Sequence, residues 1–458
     1  MSFISLTYLL FLTLVFVAYW QLGKDWRAQN VLILVASYMF YGCWSVECLG
    51  LIFATTLCSY LCALTPRRWA NVANIVVNLG ILGIFKYFGF FATSLCDAAA
   101  AIGITLSRPT VELLLPVGIS FYTFQALSYT IDVHRGRMAP CRDFVAYAAY
   151  ISFFPQLVAG PIERAERLLP TFRSERHFSY DDGAEGMRLI LLGVFKKMMI
   201  ADNCAAPVDA IFGHWQTQSS GVLMIGAVLF ACQIYGDFSG YSDIARGSAR
   251  LLGFDLTKNF LQPYFSRSMR DFWQRWHVSL QSWFRDYVYI PLGGSRCSTS
   301  RWALNILAVF GLSGLWHGAA WTFVAWGVYH AVLYVVSAHT KMPWGSVMGT
   351  LTTFAGVVVG WIIFRSTTLA DAWGYVMRMV SLEGIGTLPI PPSATLAATA
   401  LASMALLMVC EYVARREDYT TAVFTMLPRS VRPIVYIVLA LVIFTLGADS
   451  TAFIYFQF

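Results

Sequence analysis

The sequence predicts an all-α integral membrane protein, and three observations lead to that prediction. Of the 458 residues, 58% are hydrophobic and only 12% are charged, whereas charged residues make up about 25% of an average soluble domain. The mean hydropathy is +0.61. Apolar runs long enough to cross a bilayer core of ~30 Å recur along the whole chain. A water-soluble enzyme, a disordered chain, a collagen-like fibre and a nucleic-acid-binding domain are therefore excluded.

Thirteen apolar segments are candidate membrane spans. Several are short or interrupted by Gly and Pro, which is typical of re-entrant segments buried in protein. About eleven transmembrane helices plus re-entrant or interfacial helices are therefore expected. No soluble domain or long linker separates the segments, so residues 1–458 are predicted to form a single polytopic domain. The candidate spans are 4–20, 30–44, 46–64, 71–91, 113–131, 144–160, 187–206, 221–236, 303–320, 322–340, 350–365, 394–413 and 433–449.

The basic character of the chain is explained by its loops and does not indicate a nucleic-acid partner. There are 32 Lys and Arg residues against 25 Asp and Glu, giving a net charge of +7. In membrane proteins such an excess marks cytoplasmic loops. The basic loops 21–29, 65–70, 132–142 and 411–432 are accordingly predicted to be cytoplasmic. This orientation places the N-terminal end and the segment 448–458 at the outer face.

Cysteine and histidine spacing gives no sign of a metal centre. The ten cysteines are scattered, with no CxxC pair and no Cys/His cluster at zinc spacing. They are interpreted as small apolar packing residues. No metal is therefore expected in this protein.

Residues 255–301 form the one long stretch that does not fit a transmembrane helix. Six arginines alternate with tryptophans and tyrosines, His277 lies in the middle, and the turn-forming run 291–294 ends the stretch. Two interpretations stay open. The stretch could be a basic amphipathic helix on the cytoplasmic surface, in contact with membrane lipids. It could equally bind a phosphorylated nucleotide cofactor that arrives from the cytosol.

His317 lies inside an apolar run, in the sequence GLSGLWHGAAW that begins at Gly311. An ionisable residue within the membrane is costly and marks a candidate functional site. The bland alternative is a hydrogen-bonded core histidine. Gly311, Gly314 and Gly318, with the flanking Trp316 and Trp321, favour a cavity lining instead, since small residues let a helix or a ligand approach closely.

A third cluster, YGDFSGYSD, contains two carboxylates six residues apart, Asp237 and Asp243. They could serve acid–base chemistry. They could equally cap and turn the end of an apolar helix. Gly236 and Gly240 form a GxxxG pair, a weak signal of close helix packing.

The motifs, taken in order, resemble the membrane-bound O-acyltransferases. They are DFSGYSDIARG, NFLQPYFSRS, FWQRWHVSLQSWFRDYVYIPLGG and GLWHGAAWTFVAWG. More narrowly, they are similar to the bacterial branch that acetylates exported polysaccharides, of the alginate O-acetyltransferase type. An upstream FPQLVAGPIE is also similar to that branch. The motif core covers about 150–330.

This resemblance implies a catalytic role for His317 and a second functional position at His277. It also implies a central tunnel that joins a cytosolic thioester donor, acetyl-CoA, to an acceptor at the other face of a bacterial inner membrane. The expected partners are a polysaccharide acceptor and a periplasmic acetyltransferase of the SGNH type. The expected donor-binding residues are Arg270, Arg275, Arg285, Trp276 and Trp316, with Asp237 and Asp243 in support.

The chemistry of the residues agrees with acyl transfer, because a thioester-to-hydroxyl transfer needs a base for the hydroxyl proton. Burial favours a neutral imidazole. His277 could donate to the developing oxyanion or only orient the donor. The cargo stays open between acetyl, D-alanyl and fatty acyl groups, although a tunnel narrowed by Trp316, Trp321 and Trp326 would favour acetyl. A transporter or channel is the alternative from another class.

The last residues, 452–458, read AFIYFQF and admit two interpretations. They could anchor the chain at the outer interface through their aromatic rings. They also resemble the C-terminal motif of the small partner protein in bacterial D-alanylation systems, whose tyrosine is thought to carry the acyl group. That resemblance implies that Tyr455 is a transient acetyl carrier.

Overall fold

The computed structural model describes residues 1–107, 116–158, 160–340, 347–384, 393–415, 421–449 and 451–454. Every regular element within these ranges is a helix, which confirms the predicted all-α class. Six of these helices are long and apolar enough to span a membrane: Glu47–Leu64, Arg68–Ala101, Ser220–Leu251, Trp321–His339, Val347–Arg365 and Ala394–Val413. Leu6–Gln21 and Arg432–Leu446 are shorter apolar helices. The expected count of eleven is therefore not confirmed.

The N-terminal half contains nine helices within its described ranges. They are α1 (Leu6–Gln21), α2 (Trp26–Gly42), α3 (Glu47–Leu64), α4 (Arg68–Leu82), α5 (Phe88–Ala101), α6 (Ile119–His134), α7 (Phe144–Ser152), α8 (Phe154–Leu157) and α9 (Ala165–Leu168).

The remaining described ranges contain twelve helices. They are α10 (Tyr180–Phe195), α11 (Asn203–Gly213), α12 (Ser220–Leu251), α13 (Met269–Arg275), α14 (Val278–Phe284), α15 (Thr299–His317), α16 (Trp321–His339), α17 (Val347–Arg365), α18 (Leu369–Val380), α19 (Ala394–Val413), α20 (Ala422–Met426) and α21 (Arg432–Leu446).

The chain divides into two compact units. The first comprises Met1–Gly183 and Ser248–Thr257, and the second comprises Ala184–Gly247 and Lys258–Phe458. Every site discussed below lies in the second unit. The single polytopic domain expected over 1–458 stays a prediction.

In the first unit, two of the loops predicted to be cytoplasmic lie together. His134 Nε2, at the end of α6, is 3.2 Å from the carbonyl oxygen of Thr65, at the end of α3. Large apolar side chains of α1 are exposed, with Leu6 and Leu14 both 72% accessible. Such surface is unfavourable in water and suits a lipid environment. The predicted span 144–160 is broken, because α7 ends at Ser152 ahead of Pro155.

The described ranges contain three π-helical turns, at Gly83–Tyr87, Lys196–Asp202 and Arg285–Tyr289. Such turns accommodate an extra residue in a helix and are frequent at functional sites. The Lys196–Asp202 turn joins α10 to α11 and directs two consecutive lysines towards α12, as described below.

Helix α12 corrects one expectation and confirms another. Asp237 and Asp243 do not cap or turn the end of an apolar helix, because α12 continues without a break to Leu251. Gly236 and Gly240 do permit close packing. A Cβ added to either glycine would collide with backbone carbonyl groups of the neighbouring helical run, at Lys196 and Gly193 respectively.

The segment 255–301 is not one amphipathic surface helix. It forms the short helices α13 and α14, separated at His277, followed by the π-helical turn and a loop. Its tryptophans Trp273, Trp276 and Trp283 are buried. They belong to the interior of the second unit, so an extended helix lying on the membrane surface is excluded. The predicted turn is confirmed by the left-handed φ angles of Gly293 and Gly294, 106° and 57°.

Candidate active site

His277 lies in the break between α13 and α14, in a left-handed backbone conformation with φ of 47°. This conformation is costly for a residue with a Cβ and persists where the surroundings enforce it. Asn259 supplies that enforcement. Its backbone carbonyl accepts from Val278 N at 3.0 Å, and its Oδ1 accepts from Ser279 N at 3.1 Å. Asn259, in the motif NFLQPYF, was not expected to support the site.

His317 is the last residue of α15, immediately before Gly318. Helix α16 follows after a short connection, and the two helices pack at close range. A Cβ on Gly314 would collide with the carbonyl of Phe323 in α16, and one on Gly318 would collide with the Phe323 ring. These two glycines therefore do allow the close approach that the sequence predicted. These contacts place the end of α15, which carries His317, against α16.

The structure brings the two predicted histidines together from positions 40 residues apart. Their ring centroids are 6.5 Å apart. Trp316 borders both, at 6.0 Å from the His277 ring and 5.1 Å from the His317 ring. His277 is 1% exposed and His317 is 6% exposed. The prediction that both belong to one buried site is consistent with this geometry.

Aromatic rings enclose the pair. Phe238 packs edge-on to His277 at 4.6 Å, and Trp326 and Phe364 lie 5.1 and 5.7 Å from His317. Trp321 is 57% exposed, so it does not line this site as expected. The rings beside the histidines carry no charge, so the immediate surroundings of the pair are apolar.

Burial keeps His277 neutral. Desolvation lowers the pKa of its imidazole from the ordinary 6.5 to about 3, since a charged ring is disfavoured in apolar surroundings. Neither ring nitrogen bonds to another residue in the described ranges. A neutral imidazole has one nitrogen that accepts a proton and one that donates a hydrogen bond. His277 can therefore act as a proton acceptor or as a hydrogen-bond donor.

A further histidine, His330, lies beside Trp326, one of the rings that border His317. Its ring lies 5.0 Å from Trp326, which itself contacts His317. It is fully buried, and a Cβ on Gly360 would collide with its Nε2. Gly360 of α17 is thus the glycine that lets a neighbouring helix approach the His330 ring closely. Its partner in α17 lies 30 residues away, so no local pattern could have identified it.

The two aspartates of α12 pair with consecutive lysines of the Lys196–Asp202 turn. Lys196 Nζ is 2.7 Å from Asp243 Oδ2. Lys197 Nζ is 2.9 Å from Asp237 Oδ1 and 2.7 Å from Asp202 Oδ1. Asp237 and Asp243 thus hold ion pairs beside the site and do not touch the histidine rings in any recorded contact.

The segment 451–454 reaches this ion-paired region. Ile454 N donates to Asp237 Oδ2 at 2.6 Å. Phe453 lies 5.9 Å from Phe238, the ring that borders His277. Phe453 and Ile454 are 1% and 2% exposed, so this part of the tail is not an exposed interfacial anchor. Tyr455 itself lies outside the described residues.

Two of the three arginines expected to bind the donor are paired with local carboxylates. Arg275 Nε donates to Asp271 at 2.6 Å, and Arg285 Nε donates to Asp286 at 2.8 Å. Arg270 is exposed. Trp276 is buried and lies 4.9 Å from Trp361, so it belongs to the aromatic interior.

A different set of cations lines a small pocket that shares the Phe260 ring with the surroundings of His277. Phe260 forms part of its wall, and the Phe260 ring is 6.5 Å from that of His277. Burial, then the neighbouring Arg246, lowers the pKa of Lys258 to about 8. The charged and hydroxyl-bearing residues of the wall are Lys196, Arg246, Lys258, Asp243, Glu411 and Tyr235.

The sequence profile of the membrane-bound O-acyltransferase family matches residues 141–364, a range that contains both histidines. The probable alginate O-acetylase AlgI of Azotobacter vinelandii is 39% identical over 369 residues, 78% of this chain and 73% of the relative. The peptidoglycan O-acetyltransferase of Helicobacter pylori is 31% identical, over 82% of this chain and 79% of the relative. The teichoic acid D-alanyltransferase of Bacillus subtilis is 27% identical, over 75% and 91%. The chain therefore belongs to the membrane-bound O-acyltransferase family.

Proposed function

We propose that this protein transfers acetyl groups from cytosolic acetyl-CoA across the bacterial inner membrane for O-acetylation of an exported polysaccharide. The observation that carries the proposal is the buried pair His277 and His317 in its aromatic enclosure. An uncharged enclosure suits an acetyl group better than a D-alanyl group, whose ammonium needs an anionic partner. Relatives named as acetylating enzymes support the same cargo.

His317 is the proposed general base. A nitrogen of His317 takes the proton of the acceptor hydroxyl as its oxygen attacks the thioester carbonyl carbon. The carbon–sulfur bond breaks, and the proton passes from His317 to the leaving thiolate, so free CoA and an oxygen ester result. His277, neutral and buried, donates a hydrogen bond to the carbonyl oxygen as its negative charge develops.

The proposed acceptor is the phenol of Tyr455, which follows Ile454 by one peptide bond. A phenol has an ordinary pKa near 10, so it is a usable nucleophile beside a base and a good leaving group afterwards. The resulting aryl ester would be handed to a periplasmic SGNH-type acetyltransferase, which acetylates the polymer. The bulky polymer then need not enter the membrane. The competing arrangement is direct transfer to the polymer.

Incubation of the purified full chain in lipid nanodiscs with isotopically labelled acetyl-CoA tests this function. Mass spectrometry of the peptide that contains Tyr455 should show one labelled acetyl group, and His317→Ala should lack it. Tyr455→Phe keeps the ring and removes the hydroxyl. If cells that carry Tyr455→Phe still acetylate the polymer fully, Tyr455 is not the carrier and the acetyl group passes directly to the polymer. Labelling that is equal in His317→Ala and the parent would remove the base assignment.

The cargo is tested in the same preparation. D-alanyl and palmitoyl thioesters are offered in place of acetyl-CoA, at matched concentration. Acetyl transfer should exceed the other two by at least tenfold. Faster D-alanyl transfer would favour the alternative that the relative from Bacillus subtilis represents. Family membership already favours group transfer over a transporter.

A further inference from the structure

Buried charged side chains make the hydrogen bonds that hold the segment 451–454. The Asp202 carboxylate accepts from Thr451 Oγ1 at 2.6 Å and from Thr451 N at 3.2 Å. Asp237 Oδ2 accepts from Ile454 N at 2.6 Å. Lys197 Nζ lies between the two carboxylates and also donates to Thr451 Oγ1 at 3.3 Å.

The charges of the three buried side chains explain these contacts. Lys197, Asp202 and Asp237 are each at most 2% exposed, and two carboxylates share one ammonium. A buried carboxylate is stable only when its oxygens are paired or hydrogen-bonded. One lysine leaves one net negative charge, and three donors from the segment 451–454 hydrogen-bond to Asp202 Oδ1 and Asp237 Oδ2. The segment therefore supplies hydrogen bonds to a buried carboxylate pair whose charge one lysine does not fully balance.

The same contacts fix the register of the chain. Two of the three donors to the carboxylates are backbone N–H groups, at positions 451 and 454, which any sequence could supply. The Thr451 hydroxyl is the donor that depends on residue type. A slip by one residue that brought Ala452 against Asp202 would remove that hydroxyl. Asn203 Nδ2 adds a bond to the Leu446 carbonyl at 3.2 Å, so the approach to the segment is held as well.

We propose that Lys197, Asp202 and Asp237 form a clamp that holds residues 451–454 in one register and so presents the next residue, Tyr455, to the histidine pair. They are positioning residues, since they act through the backbone of the segment. The inference rests on the proposed carrier role of Tyr455. The geometry that points to it is continuous: Ile454 bonds to Asp237, Phe453 packs on Phe238, and Phe238 packs on His277.

Thr451 offers the sharpest test, because its side chain can be changed without touching the buried charges. Thr451→Val keeps the shape and removes the hydroxyl, and Thr451→Ser restores it. Thr445→Val is the matched control, since the Thr445 hydroxyl bonds only within its own helix, to Leu441 O at 2.8 Å and Val442 O at 3.4 Å. Asp237→Asn is a second clamp variant that keeps an acceptor oxygen and loses the ion pair.

Two readouts are taken on the full chain in nanodiscs with acetyl-CoA. Hydrogen exchange of the peptide around Thr451 and Ile454 reports the clamp, and the rate of Tyr455 acetylation reports positioning. Thr451→Val and Asp237→Asn should exchange at least tenfold faster at these amides. They should acetylate Tyr455 about 10- to 100-fold more slowly, because small misplacements of reacting groups are costly. The KM for acetyl-CoA should stay within twofold, and Thr451→Ser and Thr445→Val should match the parent.

Parental exchange in Thr451→Val and Asp237→Asn would overturn the clamp. Faster exchange with parental acetylation of Tyr455 would overturn its positioning role. Failure of the carrier itself appears elsewhere, as unaltered polymer acetylation in Tyr455→Phe, so the two failures are distinguishable.

Discussion

Two buried regions of the second unit treat ionisable side chains in opposite ways. Around His277 the neighbours are rings, and neither imidazole nitrogen bonds to another described residue. Around Lys197 the neighbours are carboxylates at 2.7 and 2.9 Å. The first arrangement leaves nitrogen lone pairs and N–H groups available for chemistry. In the second arrangement the charged groups hold one another in place, so the contrast separates the proposed reactive site from a supporting region.

The largest expected effect is at His317. His317→Ala should lower the rate of acetyl transfer by about 10²–10⁴-fold, the usual contribution of one positioned base. Polymer acetylation and the amount of detergent-extracted protein are measured together. The matched variant His339→Ala removes an exposed histidine whose Nδ1 contacts its own helix, and it should keep parental activity. An equal loss in both variants would break the distinction between reactive and ordinary histidines.

Substitutions in the supporting region around Lys197 should lower the stability of the fold. Lys197→Met leaves Asp202 and Asp237 without their shared cation, and breaking a buried ion pair typically costs about 3–5 kcal/mol of stability. The free energy of unfolding is followed by denaturation in detergent. The triple variant Lys197→Met, Asp202→Asn, Asp237→Asn removes all three charges and should recover much of the loss. A triple variant less stable than Lys197→Met would contradict this charge-based account.

The neutral state of His277 predicts a pH dependence of stability. Its folded-state pKa, about 3, is below the ordinary value of 6.5. The unfolded chain therefore binds the proton more readily, and stability is lost as pH falls below 6.5. By linkage the loss reaches about 2 kcal/mol at pH 5. Thermal unfolding from pH 7 to 5 should fall more steeply in the parent than in His277→Gln. Parallel curves would show that His277 is not held neutral.

The smallest expected effect is at Arg285, and it distinguishes the arginines of the segment 267–301 from the cations of the pocket beside Phe260. Arg285 is 62% exposed in its side chain and paired with Asp286, and such surface pairs contribute about 0–1 kcal/mol. Arg285→Gln should change the KM for acetyl-CoA less than twofold. Lys258→Met, in the pocket beside Phe260, should raise it about tenfold if a charged hydrogen bond to the donor is lost. A larger increase of the KM in Arg285→Gln than in Lys258→Met would show that the segment 267–301 binds the donor.

The class of fold and the two candidate histidines could be predicted from the sequence. The fold class follows from overall composition, and each histidine stands out from its immediate neighbours. A high apolar content leaves few alternatives to a helical membrane protein. His317 stands out as an ionisable group in an apolar run, and His277 as a histidine among arginines and tryptophans. The 6.5 Å separation of their rings depends on tertiary packing. Local patterns carry no information on that distance.

The supporting residues escaped sequence reasoning for a related reason. Lys197, Asp202 and Thr451 are unremarkable one at a time, and Thr451 is separated from Asp202 by 249 residues. Asp237 and Asp243 were noticed, but acid–base chemistry and the capping of a helix end both stayed open, since Asp, Ser and Gly together are typical of turns. Tertiary partners on the Lys196–Asp202 turn allow them inside α12 instead. The surface-helix interpretation of 255–301 failed because the left-handed residue His277 divides the segment.

The π-helical turn at Lys196–Asp202 has a consequence for how this protein can change by insertion and deletion. Consecutive lysines, Lys196 and Lys197, reach Asp243 and Asp237 from the widened turn. Removing one residue there would convert the turn to ordinary α-helix and shift the side chains within it by one position, so that two consecutive lysines would no longer both face α12. The two ion pairs could then no longer form together. A single-codon deletion at this turn should therefore be far more damaging than one in a surface loop, although it removes no histidine.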